Sequence, residues 1–95
     1  MLLHLVCFKY KADVDQATRT QHRERLRTLQ ALDGIADLKV GEDVLRSSRS
    51  YDTGLSVTFV NRAALDTYAK DPRHVPVAQL AVSICEHIVA CDFEI

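Results

Sequence analysis

Ninety-five residues, 47% of them apolar and 26% charged, suffice for one domain with its own core, and that balance excludes disorder. Twelve basic and 13 acidic residues leave a formal net charge of −1, which provides no global field to attract nucleic acid or an anionic membrane. No apolar run approaches the ~20 residues of a spanning helix, and Met1 to Val6 lacks a basic region and a small-residue cleavage site, so a cytoplasmic location is expected.

Leu2 to Tyr10 reads as a strand in which both alternating sets are apolar, Leu3, Leu5 and Cys7 on one side and Leu2, Val6 and Phe8 on the other. Such a strand is covered on both faces. Helices of so short a chain cover one face only, so a second copy of the sheet is expected over the other, with Val6 taken as a residue of that interface. A helix from Asp13 to Leu32 follows, with Asp13 as N-cap, Gln16 near a capping box, and Val14, Ala17, Leu26, Leu29 and Leu32 as its apolar stripe. Arg19, Arg23 and Arg27 recur every four residues as a basic ridge, read as a solvated face, and His22 is placed at its boundary.

Gly34 ends the helix, and Ile35 to Leu45 reads as an edge strand in which Gly41 marks a bulge. Arg46 to Ser50 is a polar hairpin loop. Tyr51 to Val60 is the third strand, with Tyr51, Leu55, Val57 and Phe59 on one face. Asn61 caps a helix over Ala63–Lys70, Pro72 breaks it, and a second helical run extends from His74 to about Ile84. Glu86 to Ile95 is the last strand. The order is βαββαβ with a split second helix, which fits an α+β, ferredoxin-like, four-stranded antiparallel sheet with its helices on one face.

The chain lacks Gly-rich nucleotide loops, Gly-x-Ser-x-Gly and His-Glu-x-x-His, which disfavours nucleotide, serine-hydrolase and zinc-protease chemistry. The odd set Cys7, Cys85 and Cys91 has no Cys-x-x-Cys spacing and is read as reduced, buried thiols. His4, His74, His87 and Asp92 are metal-ligand types without ligand spacing, so neither a metal nor an organic cofactor is predicted. Chemistry, if present, is acid/base. Tyr68 and His74 flank the Pro72 break, and His74 is the best candidate base, with capping of the second half-helix as its structural alternative. Tyr68 is either a hydrogen-bond donor or an amphipathic core residue. A pocket between sheet and helices would be lined by Phe8, Leu26, Leu29, Phe59, Leu65 and Leu80, and His4 could reach it from the first strand.

Four blocks, His4–Lys11, Ser50–Phe59, Leu65–Val75 and Asp92–Phe93, resemble in order and spacing the stress-responsive A/B barrel domain family over essentially the whole chain. The resemblance implies a dimeric α+β barrel, closed through the sheet face and the C-terminal strand. It also implies that a His at position 74 can act as base for an aldol-type ring closure, assisted by the Tyr at position 68. Asp71 stands where many members have a second histidine. Three functions follow as expectations: a cofactor-free cyclase or isomerase of a polyketide-like or phenolic carbonyl compound, a dimer that binds a small hydrophobic ligand without turnover, or a cofactor-free monooxygenase.

Overall fold

The computed structural model describes residues 1–95 in the order β1 (Leu2–Tyr10), α1 (Gln16–Thr28), a 3₁₀ turn (Leu29–Ala31), β2 (Ile35–Glu42), β3 (Thr53–Phe59), α2 (Arg62–Lys70), α3 (Val75–Ile84) and β4 (Cys85–Glu94). The strands form one antiparallel sheet in the order β2-β3-β1-β4. This is the ferredoxin-like arrangement expected from the βαββαβ pattern. No helix is long and apolar enough to cross a membrane.

Period-two alternation assigns the two sheet faces. Leu2, Val6, Phe8 and Tyr10 of β1 and Thr53, Leu55, Val57 and Phe59 of β3 are buried beneath the helices. Val6 therefore belongs to the core at 8% exposure, not to the free face on which the sequence pattern placed it. The free face carries Leu3, Leu5 and Cys7, which the register sets opposite Phe93, Cys91 and Val89. Leu5 at 36%, Val89 at 49% and Phe93 at 43% exposure make it an apolar surface. Cys7 and Cys91 lie exposed on that face while Cys85 alone is buried, which corrects the expectation of three buried thiols.

Helix α1 starts later than the sequence suggests, because the N-cap is Asp15, whose carboxylate accepts from the Thr18 N–H at 2.8 Å, and not Asp13. Val14 thus precedes the helix and Ala17 is exposed. The α-helix stops at Thr28, and a 3₁₀ turn carries Leu29 into the core. The helical stretch is capped at Leu32, so Gly34 does not end it as expected but takes φ +83° in the turn that leads into β2. A Cβ on Gly34 would stand 2.7 Å from that of Ala64, so the glycine also lets the chain pass close to α2.

The irregularity in β2 falls between Ile35 and Asp37, whereas Gly41 pairs in register with Gly54. The strand ends at Glu42, and Val44 and Leu45 are exposed in the following loop. Asp43 N donates to Asp52 O, and Asp52 N donates to Phe8 O, so the loop closes on β1 and β3 begins at Thr53 rather than Tyr51. Asn61 caps α2 by accepting from Ala64 N at 2.9 Å.

Candidate functional site

Helix α2 ends at Lys70, and Asp71 caps it ahead of Pro72. Asp71 is extended, with φ −63° and ψ 131°, as a residue ahead of proline prefers. Its carbonyl accepts from His74 N at 2.9 Å and Val75 N at 3.0 Å, and its carboxylate accepts from the Arg73 backbone and guanidinium. Those contacts hold the Asp71 carboxyl below the usual carboxylate range and fix the turn. His74 occupies the N-cap position of α3, yet its side chain makes no capping hydrogen bond.

The turn swings the His74 imidazole back over α2, where its centroid is 4.1 Å from that of the Tyr68 ring at an interplanar angle of 36°. Tyr68 is 4% exposed, with the Phe59 ring 5.0 Å away and the His4 ring 6.2 Å away, both edge-on. Burial pushes the Tyr68 phenol up to about 12, so at neutral pH it is a protonated donor. Burial also lowers the pKa of His74, opposed by the Ala69 backbone and the Asp71 carboxylate and reinforced by His4. A neutral imidazole results, and its Nδ1 is buried without a hydrogen-bond partner.

Tyr68 and His74 line a cavity of about 270 Å³ between sheet and helices, with Val6, Phe8, Leu26, Leu55, Val77 and Ile88 among its walls. His74 is the only lining residue outside the hydrophobic class. The arrangement offers one neutral base and one donor in apolar surroundings, where a hydrogen bond to a developing charge is stronger than in water.

Not every residue assigned to the pocket from sequence reaches it. Phe8 and Leu26 do. Phe59 and Leu29 are fully buried in the core behind it, at 0% and 1% exposure, because their positions face the sheet–helix contact itself. Leu65 and Leu80 are half-buried, Leu65 packs against the core, and neither lines the cavity. His4 stays outside the lining because its Nδ1 pairs with Asp92, directly opposite on β4. No third His, Cys, Asp or Glu joins that pair as a metal-ligand group. The β4 wall, Ile88 and Ala90, was missed, although the alternation of the last strand places both on the helix side.

A second polar cluster lies under α1. His22 is completely buried rather than at a boundary, with Nδ1 2.7 Å from the Tyr10 hydroxyl and Nε2 unpartnered. The Tyr10 oxygen is also 2.9 Å from Thr53 Oγ1. Arg23 is 7% exposed, 3.5 Å from Thr53 Oγ1 and 3.7 Å from Glu42, so the basic ridge is not a uniformly solvated face. Arg19 lies 5.1 Å over the Tyr10 ring and 3.8 Å from Asp52, whose carboxylate accepts from Tyr10 N. Burial, then Arg23 and Arg25, lowers the His22 imidazole to about 4. The signal for this cluster was the position of His22 four residues before Leu26, on the same helix face.

Known proteins place this geometry in context. The chain is similar to a dimeric ferredoxin-like protein of unknown function from Jannaschia sp. CCS1, at 28% identity over 99% of this chain and 98% of that one, with a TM-score of 0.82. It is similar in fold to a dabb family protein from Mesorhizobium loti, at 23% identity, 99% and 95% coverage and a TM-score of 0.82. A hydroxynitrile lyase from Passiflora edulis shares the fold at 21% identity, 99% and 92% coverage and a TM-score of 0.89. No curated protein sequence matches. The family model described as the stress responsive A/B barrel domain matches residues 2–95, and the chain therefore belongs to the stress-responsive A/B barrel domain family.

Proposed function

We propose that this protein is a homodimer, closed through the free sheet face, whose helix-side cavity removes a proton from a small hydrophobic carbonyl compound without a cofactor. The observation that carries the reading is the Tyr68–His74 ring pair, 4.1 Å between centroids, on the wall of an otherwise apolar cavity. His74, neutral near pH 7, takes a proton from carbon next to the carbonyl. The C–H electron pair becomes the enolate C=C bond, and charge moves to the oxygen, where the Tyr68 hydroxyl donates to it. The enolate carbon then bonds to a second carbonyl carbon of the same molecule, whose oxygen takes the electron pair and the proton back from His74, or it is reprotonated by His74 at another carbon, giving a cyclase or an isomerase. The hydroxynitrile lyase on the same fold supports a lyase setting by analogy of fold.

The apolar row Leu3, Leu5, Val89 and Phe93 supports dimerisation, as does the dimeric state of the Jannaschia relative. Covering a Leu, Val or Phe side chain fully contributes about 1.5–3 kcal/mol, so a second sheet laid over this row gains substantially. A second reading, a ligand-binding dimer without turnover, is favoured by the scarcity of polar groups in the cavity, where only the Tyr68 hydroxyl and His74 could hold a reacting charge. Exchange of acetophenone methyl protons into deuterated solvent separates the two. Catalysed exchange should fall about 10²- to 10⁴-fold in His74→Ala and about 10²-fold in Tyr68→Phe. Wild-type exchange at the buffer rate would leave only the binding reading.

A further inference from the structure

His74, Ala78 and Val82 line two spaces at once. One is the inner cavity of about 270 Å³, and the other is an outer groove of about 290 Å³ bounded also by Ala69, Val75 and Gln79. The three shared residues are four apart on α3, so they form one ridge along the helix. Its middle member is the smallest, and the ridge dips at Ala78. The rim around this dip is apolar and open to solvent, with Val75 at 37%, Val82 at 70% and Ile88 at 39% exposure.

Size then decides how a ligand lies. Small-molecule sites commonly measure about 300–1,000 Å³, and the inner cavity falls below that range. A ligand longer than this cavity, with its carbonyl at Tyr68 and His74, extends beyond it, and the wall shared with the outer groove is smallest and apolar at Ala78. We infer that cavity and groove form one bent cleft for an elongated carbonyl compound, with its head at Tyr68–His74 and an unbranched apolar tail crossing Ala78 into the outer groove. Ala78 is then the specificity-determining residue for tail length, an inference that rests on the function proposed above.

Titration of a methyl ketone series, 2-pentanone, 2-octanone and 2-undecanone, with affinity read by calorimetry and the place of the head read by the ring-proton shifts of His74, tests it. Affinity should rise about two- to fourfold per added methylene. Ala78→Leu should abolish the gain in affinity from 2-pentanone to 2-undecanone, whatever it does to 2-pentanone itself. Val82→Ser, at an exposed position that leaves folding intact, should weaken 2-undecanone alone. Flat affinity across the series, or a length gain that survives Ala78→Leu, overturns the bent cleft. A Val82→Ser protein that sediments differently but binds ketones unchanged also overturns it, since the rim is then a contact between copies. Failure of the underlying reading looks different: a length gain that Ala78→Leu abolishes, with no shift of the His74 ring at any length, rejects the placement of the head and leaves the tail path standing.

Discussion

The His74 imidazole lies 4.1 Å from the Tyr68 ring because Pro72 ends α2 and Asp71 rebuilds the chain into α3 with two backbone hydrogen bonds. Two groups that differ by six in sequence thus meet on one cavity wall. Replacing Pro72 by Ala relaxes the break, and loss of the Asp71 carboxylate removes its anchor on Arg73. Asp71→Ala should lower the melting temperature and broaden the His74 ring signals, read by thermal unfolding and NMR.

Tyr68→Phe keeps the ring packing on Phe59 and removes only the hydroxyl. Stability should change by less than about 1 kcal/mol in denaturant unfolding, while catalysed ketone exchange drops. A mutant that lost both together would make Tyr68 a core residue only.

The free sheet face is tested by Leu5→Glu and Val89→Glu, which put charge on exposed apolar positions of neighbouring strands. Both should sediment as folded monomers. Val6→Glu, by contrast, buries a carboxylate beneath the helices and should unfold the chain, because an unpaired buried charge costs several kcal/mol.

Acid stability follows from His22. Its folded pKa, about 4, lies below the ordinary value of 6.5, so the unfolded chain binds the proton first as pH falls. The stability it contributes is complete above pH 6.5 and is lost between about 6.5 and 4, on the order of 3 kcal/mol in all. The lowered His74 acts in the same direction. Urea midpoints should therefore fall through this window, and His22→Gln should flatten the slope.

Gly34→Ala combines a left-handed backbone with a Cβ 2.7 Å from that of Ala64. It should destabilise by about 1–3 kcal/mol, measured as a shift in urea midpoint. Gly41→Ala, with nothing within 4 Å of the added carbon, should cost far less in the same measurement.

The sequence carried the architecture because the strands and helix breaks leave local traces: alternation in β1 and β3, Asn61 at a cap, Pro72 at a break and Gly34 at a positive φ. It also carried Tyr68 and His74, since one proline relates them. Local pattern failed where partners come from distant strands. His22 and Arg23 look like surface residues of a charged helix until Tyr10 and Thr53 arrive from β1 and β3 to bond them. The two sheet faces of β1 are equally apolar, so only the packing of the helices places Val6 inside and Leu5 outside. The walls of the cavity depended likewise on the register of β4, which brings Ile88 opposite Phe8.

Whether His74 works as a base beside Tyr68 is decided by a pH titration of the histidine ring protons in wild type and His74→Ala, with and without a phenolic ketone. A base at His74 requires a signal absent from the mutant that titrates below the ordinary 6.5 of histidine and moves when the ketone is added. A His74 signal that ignores every ketone across the whole pH range would contradict it and leave the Tyr68–His74 pair as part of the core.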